Sequence, residues 1–122
     1  LIQEQKLVER VHDDLGPYLA DAFRELSAHP LVGEAQTCGL MGALQLVKDK
    51  ASGSGFAPEL EVGMLCRGHC FGNGLIMRAV GDRMIIAPPL VMTRAQIDEM
   101  LALIRLCLDL TLADLQSRGW LA

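Results

Sequence analysis

The stretch Leu75-Ile76-Met77-Arg78-Ala79-Val80-Gly81-Asp82-Arg83-Met84-Ile85-Ile86-Ala87-Pro88-Pro89 decides the fold class. Two short apolar runs flank Gly81-Asp82, a pair suited to a tight turn. Leu75 to Val80 and Met84 to Ala87 therefore read as the two strands of a β-hairpin. Pro88-Pro89 offers no amide donor and ends the pairing. Just downstream, Thr93-Arg94-Ala95-Gln96 has the form of a capping box, where the Thr hydroxyl and the Gln amide satisfy free backbone groups at a helix start. A helix is predicted from there to about Ser117, stopping near Gly119.

Upstream the pattern runs in the same style. Leu7, Val8, Val11, Leu15, Tyr18, Leu19, Ala22, Phe23 and Leu26 recur at helical spacing, with acidic and basic residues between them. Gly16-Pro17 lies mid-way and predicts a kink or break, and His29-Pro30 ends the segment. Leu31 to Lys48 reads as two short strands, Val32 to Thr37 and Leu40 to Val47, with Leu44 and Leu46 on one face. Ala51 to Gly55 is a flexible loop by composition. Pro58 to about Gly72 reads as one helix, closed by Asn73-Gly74. The order α-β-β-α-β-β-α describes an α+β fold, a small antiparallel sheet with helices packed on it.

The length of 122 residues suits one domain, and 51% apolar against 21% charged residues argues for a packed chain rather than a disordered one. A net charge of −4 with scattered basic residues gives no stripe for nucleic acid or an anionic membrane. The apolar runs are too short to span a bilayer, and no signal peptide is evident. The four cysteines, Cys38, Cys66, Cys70 and Cys107, read as reduced thiols of a cytoplasmic protein. Because the first residue is leucine, a piece of a longer protein is expected.

The last predicted helix is apolar on two sides. Ile97, Leu101, Ile104, Leu108, Leu112 and Leu115 form one stripe, and Leu103, Leu106 and Leu110 form another. A small domain covers one such face by itself, so the second suggests a partner domain or subunit.

Arg78 carries the most chemical information. Alternation puts Ile76, Arg78 and Val80 on one side of the strand. The pattern alone leaves two readings: an edge-strand charge reaching solvent, or a guanidinium fork presented to a carboxylate in a cleft. Val80 likewise reads as a pocket-lining residue or a plain core valine. Cys66-Arg67-Gly68-His69-Cys70 places two thiols one helical turn apart. Zinc would need His12, His29 or Cys38 to converge there, and nothing in the spacing brings them together. Buried cysteines acting as small hydrophobes, with His69 exposed on the helix, are the simpler expectation, and no metal is assigned. No role follows for Cys66 and Cys70.

The run LIMRAVGDRMIIAPPLVMTRAQIDEM resembles the C-terminal segment of class III aminotransferases, pyridoxal-phosphate enzymes of fold type I. The resemblance extends to HPLVGEAQTCGLMGALQLVKDK and to LGPYL in the first helix. It is closest to the branch that moves amino groups from amines, polyamines or ω-amino acids to pyruvate. In that branch the arginine matching Arg78 binds the substrate carboxylate and moves aside for bulky amines, and Gly74 and Gly81 are expected to ease such movement. Two departures stand out. Ile85 occupies the place where ornithine-type and GABA-type members carry a further carboxylate-binding arginine. Gly33-Glu34-Ala35-Gln36-Thr37 replaces the frequent Gly-Glu-Val-Arg-Gly, in a strand read as structural.

The resemblance implies a division of labour. Residues 1–28 would be an amphipathic helix leading in from an absent large domain, and 29–122 the small domain. The pyridoxal 5'-phosphate and its lysine would lie in the large domain. Lys6, Lys48 and Lys50 match no such motif, so no cofactor is expected on this chain and no catalytic residue is assigned to it. Arg78 and Val80 would be substrate-binding residues. Partners would be the large domain, a second subunit in a homodimer, and small-molecule amine and keto acid substrates. A different class of reading is a stand-alone α+β interaction or small-molecule-binding module that uses the sheet face or the second leucine stripe.

Overall fold

The computed structural model describes residues 6, 9, 11–38, 40–75, 77–87 and 93–120. Within these, a π-helical turn, Val11–Leu15, leads into helix α1, Gly16–Arg24, and a 3-10 turn, Glu25–Ala28. The π-turn sits directly before Gly16-Pro17. Proline occupies the first turn of α1, where its missing N–H leaves no bond unmade, so the expected disruption is taken up just ahead of it. His29 is extended (φ −68°, ψ 139°), as a residue before proline favours.

Strands β1, Val32–Cys38, and β2, Met41–Leu46, pair antiparallel with a register shift between Val32 and Glu34. Local hydrogen bonds run around the loop at Ala51–Gly55. Lys48 N–H donates to the Ser54 carbonyl (2.8 Å), and the Asp49 carboxylate accepts from Ala51 N–H (3.1 Å) and Ser52 Oγ (2.9 Å).

The helix expected over 58–72 is divided. Pro58–Leu60 forms a 3-10 turn, Glu61 takes the left-handed conformation (φ 49°, ψ 49°), and helix α2 runs Val62–Gly72. The reason lies in a distant contact. Gly63 packs backbone to backbone on Gly81, and a Cβ at Gly63 would overlap the Gly81 carbonyl oxygen. The start of α2 is therefore placed by the later hairpin and not by the preceding chain. Gly74, with φ +79°, closes α2, as expected for a helix C-terminus.

Strand β3 is shorter than predicted, Arg78–Val80, and pairs with β4, Arg83–Ile86. Ile76 and the Pro88-Pro89 stop lie outside the described residues, as do Leu7 and Val8 of the first helix. Helix α3, Arg94–Arg118, begins with the predicted capping box. Gln96 N–H donates to Thr93 Oγ1 (3.2 Å), and Thr93 N–H donates to Gln96 Oε1 (3.0 Å). Gly119, with φ +71°, ends it.

The sheet is antiparallel throughout, in the order β1-β2-β4-β3. Its inner face carries Leu44, Leu46, Met84 and Ile86. These share one buried core with Leu15, Leu19, Phe23 and Leu26 of the N-terminal helical segment, Val62, Cys66 and Cys70 of α2, and Ile97, Leu101, Ile104, Leu108 and Leu115 of α3. Gly42 leaves room for the Phe23 ring, which a Cβ would meet at 2.8 Å. The N-terminal helical segment and α3 run parallel. Arg94 bonds Asp14, Tyr18 Oη donates to Asp98 Oδ1 (2.5 Å), Arg105 Nη2 donates to Glu25 Oε2 (3.1 Å), and His29 Nε2 lies 2.9 Å from Asp109 Oδ1, every pair 80 residues apart. Such exposed pairs add at most about 1 kcal/mol each, but their constant offset defines the register of the two segments. Among the described residues no helix is long and apolar enough to cross a membrane.

The two stripes on α3 differ in burial. The first is buried, with Leu112 half-buried. Leu106 and Leu110 of the second remain 43% and 36% exposed, and Leu103 is half-buried. Leu108→Ala should therefore cost about 2–5 kcal/mol, and Leu106→Ala less than about 0.5 kcal/mol. Urea unfolding of the two variants of this chain measures the difference.

Candidate functional site

The face of the sheet opposite the helices collects the candidate residues. Register sets Arg78 opposite Ile85, Ile85 opposite Ala43 and Ala43 opposite Gln36, forming one outward row. Val80, Arg83, Gln45 and Glu34 form the next. Arg78 and Val80 thus project to the same side. Val80 is 55% exposed and is no core residue.

Arg78 stands on the outermost strand, exposed, and its side chain has no hydrogen-bond or ion-pair partner among the described residues. Other arginines are engaged. Arg94 and Arg105 hold Asp14 and Glu25, Arg118 holds Asp114, and Arg67 lies over the Phe71 ring. A guanidinium whose five donors meet no acceptor among the described residues suits a carboxylate, which it can take in two parallel bonds.

Beside this row lies a shallow groove of about 270 Å³, lined by Gln36, Cys38, Met41, Ala43, Arg83 and Ile85 among others. Sequence reasoning missed its polar rim. Arg83 Nη2 donates to Gln36 Oε1 (3.1 Å), and Gln36 Nε2 donates to Glu34 Oε1 (2.5 Å). Alternation puts Glu34 and Gln36 on one side of β1, but only the strand register brings Arg83 to them, so no local spacing announces the full string.

Comparison with known proteins bears on the family. No family model matches the chain. A putrescine–pyruvate aminotransferase of Pseudomonas aeruginosa is 54% identical over 93% of this chain and 25% of its own length. A mitochondrial gamma-aminobutyrate transaminase of Solanum lycopersicum is 31% identical over 83% of the chain and 19% of its own. The crystal structure of an omega-transferase from Vibrio fluvialis superposes with a TM-score of 0.87 at 33% identity, covering 94% of this chain and 27% of that one. The chain matches the C-terminal portion of the class III aminotransferases. It spans about a quarter of the length of the relatives it matches.

Members of this family use pyridoxal phosphate, and the residues present here do not fit a site for it. A Schiff-base lysine needs a pocket that holds the cofactor around it. Lys6, Lys48 and Lys50 are all exposed, and the Lys50 ammonium is spent on the carbonyl oxygens of Ser27 and His29. Among the described residues, this portion of an aminotransferase presents the Arg78 guanidinium, exposed and without a partner, on the sheet face away from the helices.

The Cys66–Cys70 motif forms part of the core between α2 and α3. Cys70 hydrogen-bonds the sulfurs of both Cys66 and Cys107, and all three are buried. The bond from Cys70 lowers the Cys66 thiol. The same bond, together with burial, pushes Cys70 far up, and burial raises Cys107. Cys38 is remote from them, exposed on the sheet's open face, and the His12 side chain lies outside the described residues. Among the described residues no three His, Cys, Asp or Glu side chains are grouped as metal ligands.

His69 departs from expectation. It is half-buried, with Nε2 3.4 Å from Asp114 Oδ2, because α2 lies against α3 at that point. Arg118 Nε donates to the other oxygen of Asp114 (2.8 Å). Arg118 first, and His69 with it, hold the Asp114 carboxyl below its usual range. A carboxyl whose value is lowered on folding stabilises the protein above its unfolded value, about 4, and loses that contribution as pH falls through the folded value. Asp114→Asn should therefore lower the urea midpoint at pH 7 and converge on the parent protein under acid. A gap that stays constant from neutral pH to pH of about 3 would contradict this.

Proposed function

We propose that this chain is the keto-acid side of the substrate pocket in an aminotransferase that moves amino groups from an amine, polyamine or ω-amino acid to pyruvate. The observation that carries the reading is Arg78. It is exposed on the open sheet face without a side-chain partner among the described residues. It also falls in a chain 54% identical to a putrescine–pyruvate aminotransferase. The lower identity to a gamma-aminobutyrate transaminase, 31%, agrees with Ile85 standing where that branch carries its further arginine.

In this reading Arg78 takes the carboxylate of pyruvate or of the amino acid product in a bidentate pair, and Val80 lines the same pocket. Pyridoxal 5'-phosphate and the lysine that carries it belong to a large domain outside these 122 residues, and the chain by itself has no transaminase activity. Residues 1–28 lead in from that domain and 29–122 form the small domain. The exposed stripe of Leu106 and Leu110 and the open sheet face are surfaces for the large domain or for a second subunit of a homodimer. The enzyme works in the cytoplasm on small amine and keto acid substrates.

The test uses the full-length protein. Arg78→Ala should lower kcat/KM for pyruvate by about 10²-fold, the loss expected when one partner of a charge-assisted pair is removed inside a pocket. The half-reaction with an amine lacking a carboxylate, followed by cofactor absorbance, should change by no more than a few-fold. Equal losses in both half-reactions would sink the carboxylate role.

A further inference from the structure

We propose that Asp82, together with Gly63, is the positioning device for Arg78, an inference that rests on Arg78 being the carboxylate ligand. Strand β3 is three residues long and, among the described residues, is paired on one side only, to β4. Such a short edge strand has few ladder bonds to hold it, so its place depends on what fixes its turn. That turn, Gly81-Asp82, is held from two directions. The Asp82 carbonyl accepts Leu46 N–H (2.9 Å), which ties the hairpin to the end of β2. The Asp82 carboxylate Oδ1 accepts Gly63 N–H (3.0 Å) at the start of α2.

The second bond fills a gap in α2 itself. Its N-cap residue, Glu61, makes no side-chain cap bond, and the capping role passes to a carboxylate from another element. A negative side chain is favoured at a helix N-terminus by the dipole and by the unpaired amides there. Gly63 makes the approach feasible, because a Cβ would overlap the Gly81 oxygen and stand 3.2 Å from the Asp82 Cα. Gly81, at φ +59°, turns the chain so that its carbonyl meets this seat. Arg78 begins the strand that ends at this turn, so the placement of its Cα is set by α2 through Asp82. The device is remote from the guanidinium and touches no substrate. It acts by keeping the base of Arg78 where a bidentate bond can form, and a displacement of about 1 Å is enough to lose much of such a bond's effect.

The full-length enzyme tests this with Asp82→Ala, and Arg78→Ala as reference. Asp82→Ala should raise KM for pyruvate about tenfold while the half-reaction with an amine lacking a carboxylate stays within about twofold and the cofactor remains bound. Should Asp82→Ala not yield folded enzyme, Asp82→Glu keeps the charge and displaces the acceptor oxygen by one methylene. It should still raise the pyruvate KM selectively. An unchanged pyruvate KM in the variant that folds, or a parallel fall in both half-reactions, overturns the positioning role. If Arg78→Ala itself leaves pyruvate unaffected, the carboxylate reading fails, and this inference with it. A normal Asp82 variant beside an impaired Arg78→Ala removes the positioning role alone.

Discussion

The inner stripe of α3, Ile97, Leu101, Ile104, Leu108 and Leu115, shares a single buried core with Leu44, Leu46, Met84 and Ile86 of the sheet. Each of these side chains contributes about 1.5–3 kcal/mol on leaving water. Once that face is sealed, the other helices have defined places. The N-terminal segment lies along one flank of α3, held in register by Asp14–Arg94, Tyr18–Asp98, Glu25–Arg105 and His29–Asp109. Helix α2 lies along the other, through Cys66, Cys70 and Cys107 and the His69–Asp114 pair.

Among the described residues the helices α1, α2 and α3 sit on one face, and the other face of the sheet presents polar groups. Arg78 is available for that reason. An arginine on the inner face would be buried without a carboxylate, at a cost that a core of this size does not offset. On the outer face it keeps its hydration and its donors. The stable half of the fold and the proposed binding half are thus two sides of the same four strands.

Much of this was legible in the residues. The hairpin, the capping box at Thr93 and Gln96, the helix stops at Gly74 and Gly119 and the two stripes of α3 all follow from local rules of turn, cap and periodicity. What escaped local reading shares a feature. The seat of the Gly81 turn on Gly63, Arg83 reaching Gln36, and His69 meeting Asp114 each join residues far apart in sequence, and no spacing rule signals them. Arg78 lies between the two cases. Alternation gave the side of the strand it shares with Val80, but not which side of the sheet would be left uncovered.

By itself the sequence determined the α+β class, the hairpin, the capped helix and, in outline, the order of the elements, because turns, caps and apolar periods are written within a few residues. Tertiary structure alone decided the strand order β1-β2-β4-β3, the open face on which Arg78 stands, and the seat of the Gly81-Asp82 turn on Gly63. Those depend on which surfaces exclude water together and on how closely two backbones approach. Both are properties of the packed chain and of no single segment in it.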